Sequence, residues 1–381
     1  MTRAAGASAA RAVGALLLAI VACKPQRSVM KEQTREPSLL VRTSAFTPVA
    51  AERVNQLQFV GSGAEARLVV SDATVPGATT LRTYVLDSAS TAGPGGASTA
   101  GPASPDAPSP TPASGAPSLA PASELVLPAQ LSPPQWSAHL EPDGSLAVAL
   151  SRPGSAMSPL VFLRASTGTT SPLTPEGMRV FASPRFVKRA SSPVPVVAIE
   201  SRDHDDAVVL LSPTAGYGSW SERVLPTPNA STVQAAVLGA IRDGYLLLYK
   251  TSAGVRARPD LRTRRRPPNT EVSLGTVQAL RLDASLAPVG EASPWFDATP
   301  MYEFDADVEG DRVVLLGTTP TGYVLTEGRL SGGGLAPVAR VERHVAEALC
   351  APAVQIGRAP VHFAVLENGN TPATAVLYGH L

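Results

Sequence analysis

The segment Ser192–Pro213, "SPVPVVAIESRDHDDAVVLLSP", contains two apolar runs separated by a polar stretch. The runs "VVAI" and "VVLL" are continuously apolar, which is typical of strands covered on both faces. Between them lie Asp203, His204, Asp205 and Asp206. Aspartate is common in turns because its carboxylate accepts hydrogen bonds from nearby backbone amides. The segment therefore predicts a β-hairpin whose turn carries these four residues.

The same pattern of two apolar strands around a polar turn recurs along the chain. Six such units are visible, beginning near residues 64, 143, 192, 243, 310 and 359. One central residue per unit gives Leu68, Val148, Val197, Leu247, Val314 and Phe363, which are separated by 80, 49, 50, 67 and 49 positions. The two long separations contain insertions, and without them the period is roughly 50 residues, as in repeat proteins built from β-sheets.

A period of this length with several short strands per unit indicates an all-β protein with a β-propeller fold. A candidate strand precedes each pair, and "ERVLPTP" and "PVGEASPW" follow two pairs as outer strands. We therefore expect about six four-stranded blades, or seven if Leu163–Arg179 contains a degenerate one. The last strand, "AVLYGHL", can pair with the N-terminal segment and close the ring. The competing fold is a pair of β-sandwiches, whose strands would alternate more regularly.

The long first insertion, residues 88–123, consists almost entirely of Ser, Thr, Ala, Gly and Pro. Such a segment cannot bury enough apolar surface to offset its ordering entropy. We expect a disordered loop, which is either a spacer, an O-glycosylated stalk or a tolerated insertion.

The N-terminus has two arginines, then the apolar run Val13–Ala22, which ends at Cys23. Ten residues are too few to span a bilayer core of about 30 Å but suit a secretory signal. The sequence "IVAC" resembles the lipobox of bacterial lipoproteins. The resemblance implies a signal peptide over 1–22, lipidation of Cys23 and a tether over 23–50. The repeat predicts a propeller domain over 51–381. Lys24 after the cysteine implies the outer membrane of the cell envelope, on its periplasmic or surface side. A plain signal or a cytosolic chain is the alternative.

The chain has 32 basic and 31 acidic residues, so no net charge attracts it to nucleic acid. A basic loop over 255–269 carries Arg262, Arg264, Arg265 and Arg266. Guanidinium groups bind phosphate and carboxylate oxygens bidentately, so this loop is a candidate polyanion site for an acidic glycan. The loop contains no aromatic residue for base stacking. A solvated basic loop explains the composition equally well.

Five histidines are scattered along the chain, and no nucleophile elbow, phosphate loop or dinucleotide motif is present. We expect no catalytic residue, cofactor or metal, and we interpret Asp203–Asp206 as a turn and Cys350 as a buried, inert thiol. The predicted function is a non-enzymatic binding or scaffolding module for an envelope protein or glycan. The alternative is a propeller hydrolase or quinone-type oxidoreductase with its site at the central channel. Two or more carboxylates within about 10 Å at the channel mouth would favour that alternative.

Overall fold

A computed structural model describes most of the repeat region. The described residues are 42–48, 54–61, 66–72, 78–85, 118–119, 121–127, 135–151, 160–174, 180–201, 206–214, 216–228, 230, 232–252, 274–295, 298–331, 334–344, 348–357, 361–368 and 375–380. Residues 41–381 form one compact unit, to which all described residues belong. No helix in these described ranges is long and apolar enough to cross a membrane.

The regular secondary structure of the described residues is entirely β-strand. In chain order the strands are β1 (Arg42–Pro48), β2 (Val54–Val60), β3 (Arg67–Asp72), β4 (Thr79–Val85), β5 (Ser118–Leu119), β6 (Ser123–Leu127), β7 (Gln135–Leu140), β8 (Leu146–Ser151), β9 (Val161–Arg164), β10 (Thr169–Pro172), β11 (Val180–Phe186), β12 (Val196–Ser201), β13 (Asp206–Pro213), β14 (Trp220–Leu225), β15 (Val233–Ile241), β16 (Gly244–Ser252), β17 (Gly275–Leu282), β18 (Ser293–Pro294), β19 (Glu303–Glu309), β20 (Arg312–Thr319), β21 (Gly322–Ser331), β22 (Gly334–His344), β23 (Ala348–Ile356), β24 (Val361–Asn368) and β25 (Ala375–His380).

These strands form consecutive sheets, numbered here in chain order, and their strands pair antiparallel except for β1 with β5. Sheets 1 to 5 have four strands each: β2-β3-β4-β6, β7-β8-β9-β10, β11-β12-β13-β14, β15-β16-β17-β18 and β19-β20-β21-β22. Sheet 6 has five strands, in the order β23-β24-β25-β1-β5. The first strand of each sheet contacts the first strand of the next, and β23 contacts β2. The sheets therefore form a closed ring, which is the predicted β-propeller.

The number of four-stranded blades is a correction to the prediction of six or seven. Five sheets have four strands, and the remaining sheet has five. Leu163–Arg179, the candidate for a degenerate seventh blade, instead contains the end of β9 and the whole of β10. Both strands belong to sheet 2, because β10 pairs with β9 in an antiparallel ladder.

The hydrophobic core lies between neighbouring sheets. One apolar cluster joins sheets 1 and 2, another joins sheets 5 and 6, and a third joins sheets 1 and 6. The six residues chosen from the repeat all lie in the second strand of their sheets, and none of them is exposed to solvent: Leu68, Val148, Val197, Leu247, Val314 and Phe363. Continuously apolar strands occur here because each sheet is covered on both faces by its neighbours.

The ring closes through the N-terminal strand, as the repeat predicts. β1 pairs antiparallel with β25, with Phe46 opposite Val376. β1 also pairs in parallel with β5, with Thr47 opposite Ser118. Two predicted boundaries are corrected by this arrangement. β1 lies within the predicted tether over 23–50, and β5 lies within the insertion over 88–123 that was expected to be disordered. Residues 88–117 and 120 of that insertion are outside the described residues.

Candidate functional site

The first strands of neighbouring sheets are joined by polar side chains that reach the backbone of the next strand. Between sheets 1 and 2, Gln58 Nε2 donates to the Ala138 carbonyl at 3.0 Å, and the Ala138 amide donates to Gln58 Oε1 at 2.9 Å. Between sheets 2 and 3, the Phe186 amide donates to Ser137 Oγ at 3.0 Å. Backbone groups at the inner edge of each sheet would otherwise be buried without partners, so these contacts stabilise the ring.

Carboxylates make the equivalent contacts between sheets 5 and 6. The Val354 amide donates to Asp305 Oδ2 at 3.0 Å, and the Ile356 amide donates to Asp307 Oδ2 at 2.8 Å. The partners are 49 residues apart, which is the spacing of the repeat. Asp305 and Asp307 of β19 thus contact the residues one repeat later in β23, and the two contacts follow in the same order along both strands. The first strands therefore run in the same direction and end at one face of the ring, which we call the strand-end face.

Two cations from sheet 3 cross the ring at the strand-end face. Lys188 and Arg189 follow β11, and Lys188 Nζ lies 3.5 Å from Asp305 Oδ2 in sheet 5. Arg189 donates to Asp307 Oδ2 at 2.6 Å and to the Ile356 carbonyl at 2.6 Å. Sheets 5 and 6 are not neighbours of sheet 3, so these side chains must pass across the central channel. We call Lys188, Arg189, Asp305, Asp307 and Glu309 the channel-mouth cluster.

Arg189 makes these contacts from an unfavourable backbone conformation. Its φ is +60°, in the left-handed region that non-glycine residues seldom adopt. Such conformations persist only where surrounding contacts enforce them, and they concentrate at functional or structurally critical positions. The contacts to Asp307 and Ile356 supply that enforcement.

The three carboxylates of the cluster share one face of β19. Alternate residues of a strand are about 7 Å apart, so Asp307 lies within the spacing of about 10 Å that would favour a hydrolytic site from both Asp305 and Glu309. Asp305 and Asp307 are nevertheless buried, at 0% and 3% exposure, and both bind backbone amides and cations. Glu309 is 51% exposed and lies 3.8 Å from Arg189 Nη1. Asp305 Oδ1 is buried without a hydrogen-bond partner among the described residues.

A second polar cluster lies at the strand-end face between sheets 2 and 3. Arg164 Nη2 donates to Glu141 Oε2 at 3.2 Å, and the Tyr217 hydroxyl donates to Glu141 Oε1 at 3.1 Å. The Tyr217 ring stacks on Phe162 with centroids 4.5 Å apart, and Trp220 lies 5.6 Å from both rings. We call these five residues the rim cluster. Burial raises the pKa of Tyr217, so its hydroxyl remains protonated and able to donate.

Several predicted residues are not placed by the structure. Cys23 and the polyanion candidates Arg262, Arg264, Arg265 and Arg266 lie outside the described residues, as do Asp203, His204 and Asp205. β12 and β13 form the predicted antiparallel pair, but Asp206, which was predicted to lie in the turn, is the first residue of β13 and pairs with Ser201. Cys350 is half-buried beside an apolar cluster rather than fully buried. In the part of the chain that the structure describes, no group of three or more His, Cys, Asp or Glu side chains is arranged to hold a metal ion.

The channel-mouth and rim clusters were not recognised in the sequence. The one available signal was the acidic alternation "DADVE" over residues 305–309, inside a strand that otherwise reads as apolar. Charged residues at alternate strand positions normally indicate a solvated face. Here the alternation instead identifies the residues that bind the next sheet.

Comparison with known proteins gives similarity of fold only. No family model and no curated protein matches the chain. Solved structures with similarity include the polysaccharide lyase Uly1, at 12% identity over 65% of this chain and 57% of the lyase, with a TM-score of 0.40. A subtype N10 neuraminidase-like protein of A/little yellow-shouldered bat matches at 9% identity over 86% of this chain and 95% of its own, with a TM-score of 0.49. The β-propeller domain of the Trilobed protease from Pyrococcus furiosus matches at 11% identity over 83% and 80%, with a TM-score of 0.35. This chain thus spans little more than half of the lyase, and similarities at this level do not identify an activity.

Proposed function

We propose that this chain is a lipid-anchored β-propeller of the bacterial envelope that binds a protein or glycan without transforming it. The proposal rests on the burial and the hydrogen bonds of the channel-mouth carboxylates Asp305 and Asp307. Asp307 accepts hydrogen bonds from Arg189 and from the Ile356 amide, and it is almost completely buried. A general acid or base must reach the reacting atom of a substrate. Asp307 is instead positioned to connect three sheets.

The same argument extends to Asp305. Its Oδ2 accepts the Val354 amide and lies beside Lys188, and the residue has no exposed surface. Paired carboxylates in glycoside hydrolases flank the bond to be cut and must both contact the substrate. A pair that joins neighbouring strands inside the ring does not meet this requirement. The channel-mouth cluster therefore supports a structural role, and binding is left to the exposed surface of the ring.

The anchor is the second part of the proposal. Cys23 would carry the lipid, and the segment after it would lead into β1, which begins at Arg42 on sheet 6. Several acyl chains hold a protein stably at a membrane, whereas one gives only marginal binding. Arg262, Arg264, Arg265 and Arg266 would add contacts to acidic glycans or lipid phosphates.

A hydrolase or oxidoreductase with a channel site is the second candidate. Glu309 is half-exposed at the mouth, and Asp305 Oδ1 has no hydrogen-bond partner among the described residues. A buried carboxylate oxygen in that state is unusual in a purely structural cluster. In this reading Glu309 would contact the substrate, and Lys188 would assist Asp305.

The two candidates are separated by one paired assay. The purified protein is incubated with envelope polysaccharide fractions, and co-sedimentation and new reducing ends are both measured, with reduction of an artificial electron acceptor as a third readout. We expect saturable co-sedimentation without turnover, and Glu309→Gln should leave the binding unchanged. Turnover that Glu309→Gln abolishes would refute the proposal and favour the enzyme.

A further inference from the structure

The closing strand β1 differs from the outer strands of the other sheets. In the described strand orders, β6, β10, β14, β18 and β22 each end their sheet, whereas β1 has a further strand, β5, outside it. Those five strands follow the third strand of their own sheet along the chain. β1 instead pairs with β25 from the other end of the chain, with Arg42 opposite His380. Because no short connection ties β1 to β25, only non-covalent contacts keep β1 on sheet 6.

β5 reaches β1 from sheet 1, the neighbour of sheet 6 in the ring. Residues 120–122 alone separate β5 from β6, the outer strand of sheet 1. The beginning of β6 is held by β4, because the Ala122 amide donates to the Thr83 carbonyl at 2.7 Å. Arg82 Nε also donates to Glu124 Oε1 at 2.9 Å. The short connection therefore ties β5 to sheet 1, although its pairing partner belongs to sheet 6.

The pairing of β5 with β1 depends on one backbone amide. The two strands run parallel, with Thr47 opposite Ser118 and Pro48 opposite Leu119. Proline has no N–H group, so the donor between these two residue pairs must come from β5. The Leu119 amide is in position to donate to the Thr47 carbonyl, as in a parallel ladder. A single proline substitution at Leu119 would therefore remove the contact.

We propose that Ser118–Leu119 is a clasp that holds the closing strand β1 on sheet 6 from the side of sheet 1. Sheets 6 and 1 already share an apolar cluster between their first and second strands, which includes Leu57 and Ala364. The clasp adds a connection at the outer edge, where β1 lies. It also covers backbone groups of β1 that an outer edge leaves unpaired.

The clasp forms at a lower entropic cost than the pairing that closes the ring. Thr47 pairs with Ser118, whereas Phe46 pairs with Val376, so the first contact closes a much shorter loop. A shorter loop loses less conformational entropy when its ends meet. The clasp therefore holds β1 beside sheet 1 while β25 separates from it and pairs again.

This inference goes beyond the proposed binding function and does not depend on it. It assigns a role to the end of the insertion, for which the sequence left a spacer, a stalk or a tolerated insertion open. In a protein anchored through Cys23, a pull on the anchor would act first on β1. The clasp would then resist the separation of β1 from the ring.

The test is hydrogen exchange of the native chain, measured by mass spectrometry on peptides that cover Arg42–Pro48. Leu119→Pro should raise the exchange rate of the β1 amides by roughly fivefold or more, as expected for the loss of one hydrogen bond. Leu119→Ala keeps the N–H group and should exchange like the parent. Ala97→Pro places a proline elsewhere in the same insertion and should also exchange like the parent. Peptides from β15 to β17 should be unchanged in every variant, which shows that the ring is folded.

A cross-link tests the same contact without removing it. Thr47→Cys and Ser118→Cys are combined in a chain that also carries Cys23→Ser and Cys350→Ser, so that no other thiol is present. Opposite residues of a ladder lie within the range of about 4.4–6.8 Å between Cα atoms that a disulfide spans. We expect the disulfide to form in the folded chain. Its absence, parental exchange of β1 in Leu119→Pro, or an equal increase in either control variant would overturn the inference.

Discussion

The ion pair between Arg189 and Asp307 provides the sharpest test of how the ring is held together. Arg189→Met keeps the length and apolar part of the side chain but removes its donors. The change eliminates bonds of 3.3 and 2.6 Å to Asp307 and one of 2.6 Å to the Ile356 carbonyl. Asp307 would then keep its charge in a site that is 3% exposed. Breaking a buried pair in this way costs about 3–5 kcal/mol of unfolding free energy.

The measurement is equilibrium unfolding in guanidinium chloride. The matched control is Arg340→Met, because Arg340 and Glu342 form an ion pair at the surface, at 33% and 38% exposure. Exposed pairs contribute about 0–1 kcal/mol, so the control should unfold close to the parent. Arg189→Lys keeps the charge without the two-point geometry, so its loss should be intermediate.

A double-mutant cycle with Asp307→Asn isolates the pair itself. If the two residues act together, the double variant should lose clearly less than the sum of the single losses, with a coupling of about 0.5–3 kcal/mol. A loss below about 1 kcal/mol for Arg189→Met, or additive losses, would show that the crossing of the channel does not hold the sheets together.

Three further predictions concern other parts of the chain. Burial lowers the pKa of His139 below its usual 6.5 despite the nearby Glu141, so the unfolded chain binds more protons there. The contribution of His139 to the free energy of unfolding is complete above about pH 6.5 and is lost as pH falls toward the pKa of the folded state. The guanidinium midpoint should therefore fall between about pH 7 and 5, and His139→Gln should reduce this dependence of the midpoint on pH. If the midpoint of His139→Gln depends on pH as strongly as that of the parent, protonation of His139 does not cause the loss of stability. Cys23→Ser should abolish fatty-acid labelling and leave a larger precursor on a gel, whereas undiminished labelling would remove the proposed anchor. Arg264, Arg265 and Arg266 changed together to Ser should weaken retention on a heparin column while leaving the melting temperature unchanged, and unaltered retention would exclude the loop as a polyanion site.

The strand pairs and the closing strand could be predicted because each leaves a local signal. Continuous apolar runs occur where a sheet is covered on both faces, and the second strands of all sheets meet this condition. The outer strand β6 leaves no such signal, since three of its five residues are exposed. It also follows a low-complexity insertion, which conceals both β5 and β6. The insertion therefore looked like a simple interruption of the repeat.

The channel-mouth cluster could not be predicted, because it depends on the closed ring. Arg189 meets Asp307 and Ile356 across 118 and 167 positions of sequence. No local pattern fixes such a contact, which arises only when sheets 3, 5 and 6 share one axis. The rim cluster has the same origin, since Tyr217 meets Glu141 across 76 positions. Sequence reasoning identified the repeating unit, and the residues that connect the units follow from the geometry of their assembly.

The measurement that bears most directly on the account is calorimetric unfolding of the chain with and without its last strand. The contacts of the channel-mouth cluster require one closed ring, in which β25 pairs with both β24 and β1. The full chain should unfold in a single cooperative transition, with equal calorimetric and van't Hoff enthalpies. Deletion of residues 375–381 should abolish that transition, because it separates β1 from sheet 6 and opens the ring. Two independent transitions in the full chain, or a harmless deletion, would contradict the propeller.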